Sequence, residues 1–429
     1  VSIGTNVSSI GDRAFYNCSA LTCVIIPDSV ITIGEQAFYY CDQAAGTLTL
    51  PVSLKTVGNQ AFQSCRKLTG DLNLPAGISE IGANAFSYCG LLTGKLVIPE
   101  TVETLGSSAF SGCSSLSRVT LPANLTEIPA YLFSNCSGLK GQLNLPEELT
   151  CIGSNAFFGC TGLEGQLVIP DSVTEIGDYA FYGCTGFFGA FDLPEKLEKL
   201  GAYALSGVTG IHGSVTWPKG LTYLGDRAFQ KVTELVFSVD LPDCLTYIGD
   251  YVFSQKENFS GVLDLPESLV EIGDYAFDRC YGLYGQLQLP ATLETVGKGA
   301  FMHCSGLTGD LIIPVGVTKI GDSAFGGCTG LGGTLKIPYG LTHGSFPFPE
   351  DAFNILWIPA DVTTYWQVLS CAKDANATVY FGGTQEYLDK INEKSYQLYP
   401  GFHFESYPVL DLILDGEKEQ SCVVEKPFK

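Results

Sequence analysis

Methionine occurs once in 429 residues, tryptophan three times and histidine four times. His212, His303, His343 and His403 stand far apart, so no metal-ligand or triad spacing arises from them. Paired C-x-x-C cysteines are absent, which removes the usual zinc signatures. Nucleophile elbows, phosphate loops and zinc-protease helices are missing too, and we identify no catalytic residue and no cofactor site. Basic side chains are scarce, 23 against 45 acidic ones, for a net charge of −22. That balance argues against nucleic acid and against anionic membrane surfaces as partners. No apolar run approaches the ~20 residues of a membrane-spanning helix, so no membrane insertion is expected in this segment. The chain opens at Val1 without a Met, inside a repeat, and reads as a trimmed or processed piece, so any signal peptide has been lost from view.

What the chain has in abundance is repetition. The words of Ile176-Gly177-Asp178-Tyr179-Ala180-Phe181-Tyr182-Gly183-Cys184 return nearly every 24 residues on both sides. The glycine recurs from Gly11, Gly34 and Gly58 to Gly297 and Gly321, with Pro129 standing in once, and an aromatic follows four residues later except at Leu205. Proline keeps the same beat from Pro27 and Pro51 to Pro314 and Pro338. A fixed period of this length marks a solenoid with one continuous core, so length measures coil number and not domain number. Within a coil such as Leu139-Lys140-Gly141-Gln142-Leu143-Asn144-Leu145-Pro146, in–out alternation toward the proline predicts a short strand. A second, shorter strand is expected before the repeat glycine. The stretch after it reads as a tight helical turn, with Asp, Glu, Ser or Asn as its N-cap. Two shorter coils, Leu21 to Pro27 and Leu116 to Pro122, lack the strand glycine, which therefore marks a bulge.

Eleven of the 16 cysteines share one slot, from Cys18, Cys41 and Cys65 to Cys280, Cys304 and Cys328. Parallel in-register side chains keep their beta carbons about 4.8 Å apart, longer than the ~3.8 Å mean of a disulfide. The column is expected to be reduced, buried and inaccessible.

Leu-x-x-Leu-x-Leu-Pro followed by Ile-Gly-x-x-Ala-Phe-x-x-Cys closely resembles the BspA-like class of leucine-rich repeats, over roughly residues 1–343. The resemblance implies an α/β leucine-rich-repeat solenoid, a right-handed curved superhelix of about fourteen coils of 23–24 residues, with a parallel concave sheet and short helical turns opposite. It also implies a secreted or cell-surface-attached bacterial protein, in a family whose characterised members act in adhesion to host proteins or other cells. The matching residues are scaffold positions, so it assigns no binding residue. Residues 344–394 read as a degenerate terminal coil around Asp351-Ala352-Phe353 and a cap bearing Tyr365, Trp366 and a helix from Thr384 to Glu393; residues 395–429 are a tail or the start of another module.

Three consecutive coils depart from the pattern: Leu205 replaces the phenylalanine, Val208, Val232 and Lys256 replace the cysteine, and Trp217 enters a Leu/Ile slot, where it would fill the space left by Leu205. The acids Asp178, Asp226, Asp250, Asp274 and Asp322 form one column, read as caps of their own turns in preference to a calcium ladder. Outward strand positions, with Asp192, Asp240 and Asp264, read as a solvated sheet. More informative is the edge carrying the turns. Tyr179, Tyr203, Tyr251 and Tyr275 occupy one slot with Arg227 between them, and Phe158, Tyr182 and Tyr284 extend the surface. Polar residues hold the same slot elsewhere, so these tyrosines are expected to be exposed, with Arg227 as a donor for an acidic group; the plainer alternative is that they shield neighbouring corners. The expected function is a non-catalytic extracellular recognition or adhesion scaffold, monomeric, that binds a protein or glycan of a host or neighbouring cell. The runner-up is a structural spacer presenting another domain.

Overall fold

The computed structural model describes residues 3–343, 347–359, 368, 370–371, 377–382, 410–414 and 417–424. Tyr365, Trp366, His403 and the helix expected from Thr384 to Glu393 lie outside these residues. The chain divides into two compact units, Val1–Val236 and Phe237–Lys429. Both are built from the turns of a parallel-strand β-solenoid, about 14 in all.

In the first unit, two-residue strands before the repeat glycine form one parallel ladder, Ser9–Ile10, Thr32–Ile33, Thr56–Val57, Glu80–Ile81 and Thr104–Leu105. A second runs Glu127–Ile128, Cys151–Ile152, Glu175–Ile176, Lys199–Leu200 and Tyr223–Leu224. The ladder breaks where Pro129 replaces glycine. Elsewhere the glycine N–H donates to the coil before, Gly34 to Ile10 O and Gly106 to Ile81 O, and proline has no N–H to give. The second unit repeats the pattern with Tyr247–Ile248, Glu271–Ile272, Thr295–Val296, Lys319–Ile320 and Thr342–His343. The repeat glycine is required by contact: a Cβ on Gly106 would lie 2.2 Å from the nitrogen of Ala83 in the neighbouring coil.

Strands leading to the proline are interrupted at their glycine. Gly309 has φ 82°, and the pairing offset changes there, from Gly309 opposite Leu331 to Leu311 opposite Leu335. The shorter coil pairs Arg118–Thr120 with Lys95–Val97 without a break. In the second unit this sheet continues through Ile355–Pro359 and Thr378–Gly382 to Glu417–Val424, which also pairs with Leu410–Leu414.

No helix occurs among the described residues of the repeats, and the helical turns expected after each glycine are instead successive β-turns. Between Gly177 and Cys184, Ala180, Tyr182 and Cys184 donate to the carbonyl three residues back, while Tyr179, Phe181 and Gly183 donate forward to Ala202, Ala204 and Ser206. Every second N–H therefore leaves the coil, and an α-helix, which keeps all its interior donors, cannot form. Tyr179 at φ 57° and Gly183 at φ 72° supply the positive φ that such turns require at their third position. The capping expectation changes accordingly. Asp178 Oδ1 accepts the N–H of Ala202 at 2.8 Å, and Asp274 Oδ1 that of Lys298 at 2.6 Å, so each acid ties its coil to the next.

The core is a column of phenylalanines. In the first unit Phe15 and Phe38 stack at 5.0 Å and the column continues to Phe181; in the second, Phe253, Phe277, Phe301 and Phe325 stack at 5.1–5.4 Å. Phe348, not Phe353, extends it at 6.1 Å, so the column position of the worn terminal coil falls ahead of its Ala352-Phe353. Trp217 points inward and meets Phe229 edge-on at 6.4 Å.

Ten column thiols are buried, and each donates to the carbonyl of the phenylalanine in the preceding coil, as Cys65 does to Phe38 O at 3.0 Å. Burial pushes the thiols of Cys89, Cys184 and Cys304 up to about 12. Cys18 differs from the expectation: it is half-buried. On adding a thiol reagent to the folded protein, Cys18, Cys23, Cys151 and Cys244, all half-buried, should label first. The ten should label only after denaturation; rapid labelling of Cys89 or Cys184 would contradict this packing.

One irregularity escaped the sequence reading. Phe237 takes the slot of the strand glycine and turns inward, meeting Phe253 edge-on at 5.8 Å. Lys256 sits buried in the cysteine slot with its ammonium 5.8 Å from the Phe237 ring, and desolvation lowers its pKa to about 8.

Candidate recognition edge

The β-turns place the aromatic column. In the first unit Tyr179 and Tyr203, held at φ 57° and 55°, leave adjacent coils in the same direction and stack at 4.7 Å with 8° between rings. Phe158 and Tyr182 stack beside them at 5.1 Å, and Tyr182 meets Tyr179 at 5.6 Å and Tyr203 at 6.2 Å. Arg227, next in the column, lies over Tyr203 with its guanidinium carbon 5.6 Å from the ring centroid. In the second unit Tyr251 and Tyr275 stack at 4.9 Å, and the Lys298 ammonium lies 6.0 Å from the Tyr275 ring.

These tyrosines are half-buried and not fully exposed, because each ring covers the face of its neighbour. Arg227 is engaged with Tyr203, so the donor role expected for it begins from a cation–π contact. Burial, with the neighbouring Tyr203 and Tyr182 phenols and the Asp178 carboxylate, raises the Tyr179 pKa, so its hydroxyl stays protonated at neutral pH. Tyr284 does not join the column. It stands on the strand Leu283–Gln286 opposite Val262 and is 56% exposed.

A further cluster in the first unit was missed. Tyr16 and Tyr39 stack at 5.1 Å, Tyr40 leans on Tyr39 at 4.7 Å, and Arg13 lies 5.9 Å from the Tyr16 ring while its Nε donates to Gln36 Oε1 at 2.8 Å. The signal was present, since Tyr16 and Tyr39 follow Phe15 and Phe38 directly as Tyr182 follows Phe181. The acids offer no comparable site. Asp192 Oδ1 accepts the N–H of Leu193 and of Thr216, and among the described residues no three His, Cys, Asp or Glu side chains converge as metal ligands.

Parallel ladders, leucine-rich coils and an aromatic turn edge together define a repeat scaffold of the leucine-rich class. The chain matches the BspA type leucine rich repeat region in six copies, over residues 1–94, 80–211, 140–259, 165–284 and 235–355. It belongs to that family. Among solved structures it is similar to a leucine-rich repeat protein from Bacteroides ovatus, with 26% identity, TM-score 0.57 and 87% of each chain covered. It also matches a leucine rich cell surface protein from Faecalibacterium prausnitzii, with 24% identity and TM-score 0.44 over 87% of this chain and 89% of that one. The Treponema pallidum leucine-rich repeat protein is 36% identical over 37% of this chain and 72% of its own, with TM-score 0.34. None of the curated proteins matches the chain. Proteins of this fold are generally non-catalytic repeat scaffolds for protein interaction. No helix among the described residues is long and apolar enough to cross a membrane.

Proposed function

We propose that this chain is a non-catalytic recognition scaffold, secreted or held at a bacterial cell surface, that adheres to a protein or glycan partner through the turn-bearing edge of each unit. The observation that carries the reading is the pair of stacks on that edge, Tyr179 with Tyr203 in one unit and Tyr251 with Tyr275 in the other, at slots where other coils place Gln36, Gln60, Asn84 and Ser108. The coil tolerates polar residues there, so its geometry does not demand the tyrosines. Ordered aromatics offer contact area and hydroxyl groups at little entropic cost, which is why they anchor interfaces. Membership of the BspA type leucine rich repeat family supports the proposed localisation.

The test changes Tyr203, Tyr251 and Tyr275 together to Ser and measures binding to a panel of glycans and host matrix proteins. Binding by the parent is expected to fall about tenfold or more, the loss of one hot spot. Each broken stack is expected to cost about 0.5 to 1.5 kcal/mol of stability, so melting is followed in parallel. The corresponding Phe variants keep the stacks and should retain the fold. A folded Ser variant that binds as well as the parent would put the binding surface elsewhere, and a parent that binds no member of the panel would leave the spacer reading in its place.

A further inference from the structure

We propose that Tyr179 and Tyr203 are a site of oxidative cross-linking, at which a dityrosine bond staples two neighbouring coils. This inference does not depend on the recognition reading. Both side chains come from the same slot of adjacent coils, and their rings lie nearly parallel, face to face. With centroids 4.7 Å apart and 8° between planes, the carbons of each ring face those of the other across the stack. The backbone holds this register, since Tyr179 N–H donates to Ala202 O and Tyr203 N–H to Asp226 O, each at 2.7 Å. Both residues are half-buried, which leaves them within reach of a small oxidant. Arg227 lies against Tyr203, so that ring is sandwiched between the guanidinium and Tyr179.

The chemistry needs a one-electron oxidant, here hydrogen peroxide acting through a haem peroxidase. Each phenol loses one electron and one proton, and the peroxide, accepting two of each, becomes two waters. The two phenoxyl radicals carry spin at the carbons ortho to oxygen and join there in one carbon–carbon bond. Each joined carbon then gives up its hydrogen as a proton while its oxygen takes one, restoring both phenols. Two tyrosines and one peroxide thus yield one dityrosine and two waters. In the same unit, Tyr88 and Tyr131 are exposed at 52% and 46% and stack on no ring among the described residues, so oxidation there has no neighbouring tyrosine among them.

Dilute protein treated with a haem peroxidase and hydrogen peroxide, then digested with trypsin, tests this by mass spectrometry. Lys196 and Lys199 separate the two tyrosines into different peptides. The expected product is an intramolecular link between the peptides of Tyr179 and Tyr203, placed on Tyr179 and not on Tyr182 by fragmentation, short by two hydrogen masses and with dityrosine fluorescence. It should be at least tenfold more abundant than any link through Tyr88 or Tyr131. Tyr203→Phe, which keeps a ring in the stack but removes the phenol, should abolish that fluorescence component, while Tyr131→Phe should leave it unchanged. Links through Tyr88 or Tyr131 that equal the Tyr179–Tyr203 link, or no such link where other tyrosines have been oxidised, would overturn the proposal.

Discussion

Replacing Phe277 with alanine should destabilise the second unit by about 3 to 5 kcal/mol, the range for emptying a fully buried aromatic site. Phe277 stacks on Phe253 at 5.3 Å and on Phe301 at 5.1 Å and also meets Phe259 at 6.0 Å, so one truncation removes contacts on both sides of its coil. Its main chain keeps its bonds, with the carbonyl accepting from Cys280 N and Cys304 Sγ. The damage is therefore a cavity, and it should be local, because a solenoid coil rests only on its neighbours. Amide exchange should accelerate most over roughly residues 250–300. A loss spread evenly along the chain would mean that the coils unfold as one block.

Lys256→Met should do the reverse and stabilise the protein by about 2 to 3 kcal/mol at pH 7. Desolvation lowers the ammonium from its ordinary 10.5 to about 8, a difference worth about 3 kcal/mol, reduced by the contact with the Phe237 ring. The pH dependence fixes the sign. Below pH 8 the folded and unfolded states both hold the proton, and the folded state bears the net cost of the buried charge. Between pH 8 and 10.5 the unfolded lysine holds more proton than the folded one, so parental stability rises with pH relative to the Met variant. Chemical denaturation of both proteins at pH 7, 9 and 10.5 measures this gap, which should close toward the alkaline end. A gap that stays constant would show that Lys256 acts through packing and not through charge.

The period, the phenylalanine column and the buried thiols were legible because each depends on residue type at a fixed interval. The turns were misread for a physical reason. Asp178, Tyr179 and Ala180 look like the start of a helix when only near neighbours are considered, yet the donors of Tyr179, Phe181 and Gly183 have partners one coil away. Local propensity contains no term for such bonds. The same omission hid the role of Asp178, which serves Ala202 and not its own turn. For the candidate edge, the column of Tyr179 and Tyr203 could be read from their shared slot. Their half-burial could not, since it arises from one ring lying on another across coils. Phe237 went unnoticed because a phenylalanine among hydrophobic residues raises no alarm, and only the missing strand glycine distinguished it.

The forward-reaching donors have a genealogical consequence. When Phe157 N–H meets Ala180 O and Phe181 N–H meets Ala204 O, the bonding rule refers only to the next coil and never to a particular one. Excising or duplicating one whole period by recombination would rejoin every donor to an equivalent acceptor, whereas losing a single residue within a turn would misalign them all. Between Gly11 and Pro338 the strand glycine is the place where a residue has dropped out, in the coils ending at Pro27 and Pro122. Arrays of this kind are therefore expected to differ between related strains by whole coils, and their aromatic stacks to move along the chain in steps of one period.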